Sequence, residues 1–500
     1  MSKRAIALLL CGLLLIGGMA GCGSDPDPVS NTDPSTTDTD LTASAQSGTE
    51  TSGDSTTTEG ELLVPDTSPT EGTTQGGGKD KTKTTARVTT TTVKPLSYTK
   101  TKQDEMFESA RGSSILMFYS GSLSDKEKKV ADQFKAQYGI DIKYEVMGWA
   151  EYNAKIAQRV AAGNPPDIAS ITDSSALNFM YGNITQPLNK YMDPKDPYLN
   201  WNPTLLDLYS VDGNVYGIPD YWISTFFIYY NKTLFEEQGI EDPYELYKKG
   251  KWDFAKFREI AKKATLYEKD NTTVKCLGFA TWYRELFVLA NGGNIISPDG
   301  KGRYISTVDS PATLAGLNLM KDLCADGSYD GVTAGYTEFK NRKVAMFAER
   351  PWNAIGAYDY YNTMKDEIGV VPVPKGPNAD KVYAPSNTTA SYIPAKCKNP
   401  VGGMAWIYFS LRRAIEGEKQ NHPDDVAYRR LSMSEEHEKI IRDYLKNATQ
   451  VTSRLDSLTG WSNYSVEFWG GLVSEHKPAE ELAASMKTML DSAIIRTIGK

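Results

Sequence analysis

Histidine is almost missing from this chain, with 3 among 500 residues, and cysteine is nearly as scarce at 5. His422, His437 and His476 all fall in polar C-terminal segments. No G-x-S-x-G, H-E-x-x-H or metal-spaced cluster occurs, which removes the usual signatures of serine and zinc hydrolases. Cys11 and Cys22 belong to the N-terminal leader, leaving Cys276, Cys324 and Cys397 widely separated. Three such cysteines make neither a disulfide framework nor a zinc pattern. One bridge with one thiol left over is open to them; three small buried thiols is the plainer expectation. Positive charge is also short, 55 Lys+Arg against 63 Asp+Glu for a net −8, which argues against nucleic acid as a partner. Apart from Ala5–Ile16, long apolar runs are missing. That run has only about 12 residues, whereas a membrane-spanning helix needs ~20.

Lys3 and Arg4 precede the run and small residues follow it, which is the layout of a signal peptide. It ends in Met19-Ala20-Gly21-Cys22, which resembles a bacterial lipobox. That resemblance implies a signal peptide over 1–21 and a mature N-terminus at Cys22, lipidated on its thiol. The protein would then sit on the extracellular face of the cell membrane, attached through the lipid alone. Residues 22–105 are rich in Thr, Ser, Asp, Gly and Pro. Such a segment cannot bury enough apolar surface to offset its chain entropy, so a disordered tether is expected. As a flexible coil of about 80 residues it would span roughly 45–55 Å. Gly76-Gly77-Gly78-Lys79 is no phosphate loop, since Asp80 stands where Ser or Thr belongs and no strand precedes it.

The remaining chain exceeds one ordinary domain and fits two. Ser113–Tyr119 reads as a strand, Ser124 and Glu127 as a capping box, and Gly139 as the helix stop. Ile140, Ile142, Tyr144 and Val146 alternate as a strand does. Tyr152, Ile156 and Val160 return to helical spacing, and Asp167–Ile171 is a third strand. This β-α-β-α-β order predicts a parallel sheet, and ligands collect outside the carboxyl ends of such strands. The loops there carry Ser120, Trp149 and Asp173. Further on, Phe226–Tyr230 is a dense β-former run entered through Pro219, Tyr221 and Trp222. Thr233 and Glu236 suggest a capping box for the helix that Gly239 would close. Ile368–Val373 is another strand. The segments from Glu435 onward look helical, with an interruption over Thr459–Gly471.

Four stretches resemble extracellular solute-binding protein family 1, the receptors of carbohydrate ABC importers. They are Gly163-Asn164-Pro165-Pro166-Asp167-Ile168; Tyr216-Gly217-Ile218-Pro219 through Tyr230-Asn231-Lys232; Phe339 to Trp352; and Gly369-Val370-Val371-Pro372-Val373-Pro374. Arg342 stands where the family usually has glycine. The resemblance covers nearly all of 113–500 and implies an α/β fold of two lobes in the type II periplasmic-binding-protein manner. Each lobe would be a mixed sheet flanked by helices, with ligand in the cleft between them. The implied division is 106–222 with 375–425 for lobe 1 and 223–374 with 426–500 for lobe 2. Crossovers and hinges are expected near Tyr221–Thr225 and Gly369–Pro374. The lipobox and tether are similar to the display of Gram-positive members.

By matching positions, the resemblance places Trp352 and Trp282 as sugar-stacking platforms, Asp173 as a carboxylate contact and Trp461 as a third ring. Trp222, Tyr221, Trp149, Arg350, Asn387 and Ser120 complete the expected ligand contacts, with Arg284 and Ser386 as further polar partners. Sugar rings pack their C–H faces on indole or phenol, and their hydroxyls take charged or amide partners. The 29 Tyr and 9 Trp suit that chemistry. The plainer alternatives are that Asp173 caps the following helix and that Arg350 braces the loop before Pro351. Trp201, Trp252, Trp406 and Trp469 are assigned to packing. The expected function is capture of a sugar or oligosaccharide for an ABC permease by a monomer, with no cofactor, no metal and no reaction on the ligand. The alternatives are the same fold binding a peptide, polyamine or other small solute, and a secreted glycoside hydrolase. A polyamine receptor should show several acidic residues beside its rings, and the sequence offers one candidate.

Overall fold

Ser124 accepts the Glu127 N–H and Glu127 reaches back to the Ser124 N–H, so the expected capping box opens the helix Asp125–Tyr138, which Gly139 closes in the left-handed region. This is seen in a computed structural model that describes residues 100–499 apart from 194–195, 200, 222–223, 301–302 and 421–430. The expected signal peptide, Cys22 and the tether up to residue 99 lie outside the described residues, as does Trp222. Strand Ser114–Ser120 runs parallel to Asp141–Met147 in register, and Met117 bridges in parallel to Ile168. The Tyr152 hydroxyl donates to Phe118 O and accepts the Ser170 N–H, pinning the helix Trp149–Ala161 to strand Ser114–Ser120 and to the strand that holds Ser170. Strand Ala169–Thr172 then pairs antiparallel with Thr389–Tyr392, which also pairs with Ile218–Pro219. The first sheet is therefore mixed.

The second sheet has five strands in the order 368–372, 227–231, 344–349, 274–280, 266–267. All five residues of Phe227–Asn231 are buried, as a central strand of β-branched and aromatic residues should be. Its helix, Lys232–Gln238, is capped two residues earlier than expected. The Asn231 side chain accepts the Leu234 N–H, and Gly239 closes the helix at φ 63°. Thr233 Oγ1 accepts the Glu367 N–H instead, tying the helix start to the neighbouring strand.

Gly369–Pro374 is not the return crossover. Ile368–Pro372 lies wholly in the second sheet, paired to Phe227–Asn231 along its length. The chain returns between Tyr383–Asn387, which pairs with Ser224–Thr225 and Thr449–Val451, and Thr389–Tyr392 in the first sheet. A proline-flanked apolar run reads alike as an edge strand or as a crossing; only its pairing tells them apart. The expected break over Thr459–Gly471 is also displaced. Ser462–Val473 is helical, and the break lies between the helix Glu435–Asn447 and Trp461, holding strand Thr449–Val451 and a single 3-10 turn at Leu455–Ser457. Cys276, Cys324 and Cys397 are free thiols, the first two buried. Among the described residues no helix is long and apolar enough to cross a membrane.

Candidate functional site

Between the two sheets lies a cavity of about 730 Å³, within the range of small-molecule sites. The first sheet contributes the ends of its strands: Thr172, Asp173 and Ser174 on one, Asp220 and Tyr221 on another, Thr389 and Ser391 on a third. The second contributes Thr281–Glu285 after strand Val274–Ala280 and Arg350 after strand Val344–Glu349. The C-terminal segment adds Ser453, Asp456, Trp461, Ser465 and Trp469.

Of the residues expected from sequence, Trp282, Asp173, Tyr221, Trp149, Trp461, Arg350, Asn387 and Arg284 all line this cavity. Ser120 does not. Its short hydroxymethyl stops at the strand end, whereas the indole of Trp149, one strand further out, reaches the wall and is 37% exposed. Ser386 is also absent from the wall: it is buried, and its Oγ lies 3.0 Å from Thr225 Oγ1, joining the two chain crossings. Trp352 opens the segment Trp352–Ala357, a wide helical turn in which the Tyr358 N–H bonds to Asn353 O. Such i to i+5 turns recur at functional sites; the Trp352 side chain is not among those described.

Glu349 organises one end of the cavity from behind. It is fully buried; Oε2 accepts the Trp282 indole N–H at 2.9 Å, and Oε1 accepts the Arg350 backbone N–H at 2.7 Å and Nε–H at 2.9 Å. The guanidinium then lies 4.8 Å from the Trp282 ring centre and 5.5 Å from that of Phe226, while Phe226 stacks on Tyr283. Arg350 Nη1 reaches toward Asn387 Oδ1 at 3.5 Å. Arg350 thus joins both chain crossings to the aromatic wall as well as bracing its own loop.

Asp173 is 1% exposed. Its Oδ1 accepts the Ser174 N–H at 3.1 Å, while Oδ2 has no hydrogen-bond partner among the described residues. Burial pushes its carboxyl up to about 7, against the pull of Arg454. Beyond that one turn bond it caps no helix. Trp461 is buried, packed edge-on to Phe468, and its side chain hydrogen-bonds Asp456. Trp469, assigned to packing, is buried but lines the cavity, and the Arg284 guanidinium lies 5.8 Å from its ring centre. Trp201 does pack, against Tyr221.

Sequence reasoning missed three carboxylates on the wall. Asp220 accepts the hydroxyls of Thr389 and Ser391, and burial raises its carboxyl. Glu285 is buried and accepts from Ser453 Oγ at 3.2 Å. Asp456 is walled by protein but open to the cavity. Burial first, then mutual repulsion, raises Glu285, and burial raises Asp456. Asp220 and Glu285 directly adjoin residues read as contacts, so sequence adjacency was an available signal. Asp456 carried none, because the place of its segment is decided only by packing. Among the described residues no cluster of metal-ligating side chains occurs.

A family model described as bacterial extracellular solute-binding protein matches residues 129–415. A putative binding protein of Brucella abortus is 28% identical over 276 residues, 52% of this chain and 62% of the relative. The diacetylchitobiose-binding protein DasA of Streptomyces coelicolor is 24% identical over 267 residues, 52% of this chain and 59% of the relative. The alignments thus span less than two thirds of these relatives' own length. Among solved structures, a Listeria monocytogenes ABC substrate-binding protein in complex with cycloalternan superposes with TM-score 0.58 at 16% identity, covering 77% of this chain and 99% of that one. The GacH receptor of Streptomyces glaucescens, solved unliganded and with acarbose, gives 0.53 at 18%, covering 78% and 99%. UgpB of Mycobacterium tuberculosis with glycerophosphocholine gives 0.56 at 16%, covering 76% and 98%.

Proposed function

The chain belongs to the bacterial extracellular solute-binding proteins and has their two-lobed α/β fold, and from that premise we propose that it captures a sugar or oligosaccharide for an ABC importer. The observation that carries the reading is the cavity itself, where rings and carboxylates from both sheets meet. Indole and phenol suit sugar C–H faces, and carboxylates accept bidentate bonds from hydroxyls. Relatives that bind diacetylchitobiose, cycloalternan and acarbose support it. In this reading 106–222 with the chain from the crossing at Asn387–Thr389 to 425 form one lobe, and 223–387 with 426–500 form the other. They close by rotation at the crossings, and the loaded form docks on the permease. Cys22 carries the lipid that holds the monomer on the outer face of the cell membrane. The ligand leaves unchanged.

A hydrolase is the second reading, favoured by the neighbouring acids Glu285 and Asp456, since sugar hydrolysis needs two carboxylates flanking the bond. Both sit on one side of the cavity, beside Ser453 and Trp461, which suits gripping hydroxyls better than flanking a glycosidic bond. A thermal-shift screen against mono- and oligosaccharides, peptides, polyamines and metals, with product analysis, decides. Ligand at ~100-fold over its dissociation constant adds about 2.7 kcal/mol of stability. A shift with one sugar class and no cleavage supports the receptor. Cleaved sugar supports the hydrolase, and a shift only with peptides or polyamines keeps the fold and removes the sugar. Trp352, whose role rests on the resemblance, should weaken sugar binding by about 1–3 kcal/mol when cut to Ala; unchanged affinity takes it out of the site.

A further inference from the structure

Two guanidiniums line the cavity, and among the described residues no lysine does. Arg350 is taken up by Glu349, whose Oε1 accepts its Nε–H at 2.9 Å. Arg284 has no such partner. It is half-buried on the wall, and among the described residues its side chain makes neither a hydrogen bond nor an ion pair. The turn that carries it is fixed: the Tyr283 N–H bonds Thr281 Oγ1 at 3.1 Å, and the Leu286 N–H bonds Tyr283 O at 3.1 Å. The guanidinium lies over the Trp469 ring, 5.8 Å from its centre, and Trp469 lines the same cavity. An indole beneath a guanidinium favours the cation and leaves its N–H fork open at the edge.

The carboxylates on the wall are in the opposite condition. Asp220 accepts two hydroxyls, Glu285 accepts Ser453 Oγ, and Asp456 accepts from the Trp461 side chain. Glu285 and Asp456 feel Arg284 through space, but neither comes within ion-pairing distance of it. Burial also raises both toward the uncharged form. The wall therefore presents one charged donor group without an acceptor. A neutral sugar would leave that charge uncompensated as the cavity closes around it, at a desolvation cost. A carboxylate or a phosphate removes the cost, because the guanidinium fork matches either through two parallel bonds.

We propose that the ligand is an acidic saccharide, its oxyanion held by the Arg284 fork beside Trp469 and its rings lying along the rest of the cavity. This rests on the saccharide reading above. A uronic acid and a sugar phosphate share the chemistry, and the test separates them. The test is isothermal titration of the full chain with glucuronate, galacturonate and di- and trigalacturonate, each against its methyl ester. Glucose 6-phosphate runs against glucose, with acetate and inorganic phosphate as oxyanions that carry no sugar ring. The ester keeps the skeleton and deletes the charge. An acid should bind at least about tenfold tighter than its neutral counterpart, the worth of one charge-assisted hydrogen bond. Preference for a uronate names the carboxylate and preference for glucose 6-phosphate names the phosphate; either upholds the proposal. Arg284→Gln should bring the ratio toward one. Should that variant fail to fold, Arg284→Lys, which keeps the charge and loses the fork, should lower the ratio without abolishing it. A ratio that these substitutions leave unchanged overturns the proposal. Neutral sugar or ester binding as tightly as its acid also overturns it and leaves the saccharide reading standing. Acetate or phosphate binding with no sugar removes both, and binding of no oxyanion overturns the proposal outright.

Discussion

Glu349 illustrates how much of this site depends on a residue that does not reach the cavity. It holds the Trp282 indole and the Arg350 guanidinium through separate oxygens, so both cavity groups share one anchor. Glu349→Gln keeps an acceptor for the indole and takes the charge away from a guanidinium that is 4% exposed. Losing one partner of a buried pair costs about 3–5 kcal/mol, and urea melts should show a loss of that order; a loss under 1 kcal/mol would mean that the pair is not the anchor. Trp282→Ala should instead weaken ligand binding by about 1–3 kcal/mol, as titration calorimetry would report. Trp282 and Arg350 were legible because the resemblance places both beside the ligand. Glu349 was not, since an acid at a strand end looks solvent-exposed until both neighbours turn toward it.

At the scale of elements, two local conflicts are settled by tertiary partners. Asn231 rather than Thr233 caps the helix Lys232–Gln238, and its amide also donates to Asp366 at 2.6 Å. Asn231→Ala should cost about 1–2 kcal/mol for the cap alone. Thr233→Ala, which loses one bond to Glu367 N–H, should cost less, and the reverse ranking in thermal melts would restore the sequence-based cap. Arg342 stands at a left-handed φ of 58°, where the resemblance expects glycine. Its guanidinium bonds Asp366 and Glu237, at 2.5 Å and 3.0 Å, which offsets the strain of a side chain there. Arg342→Ala keeps the strain and loses the pairs. Arg342→Gly relieves it, so the glycine variant should melt above the alanine one by about 1 kcal/mol.

For the whole molecule, buried acids set the pH response. Asp173 is held at about 7 by burial, and Glu285 is raised likewise. The empty folded protein therefore binds more protons than the unfolded chain above about pH 4, and stability from these groups falls as pH rises through their folded values. His437 runs the other way. It is buried against Tyr244 and held down at about 4, so its contribution rises with pH and levels off once the unfolded imidazole is neutral, above about pH 6.5. The melting temperature of the empty protein should accordingly fall between about pH 7 and about pH 8.5. A flat or rising profile would show that these carboxyls are already ionised at low cost. Ligand should also shrink the radius of gyration in solution scattering if rotation at the Thr225–Ser386 crossings closes the cleft.

What the sequence by itself determined was everything set by local periodicity and caps. The Ser124 box, the alternation before Met147, the buried run into Tyr230 and the aromatics after strand ends all follow from chemistry within a few residues. The family followed from four such stretches in order. The crossing at Asn387–Thr389 and the gathering of acids on one cavity wall were decided only by tertiary structure. Strand pairing and the meeting of Asp173 with Asp456 join residues far apart in the chain, and no short-range pattern encodes which distant acid will share a wall with which.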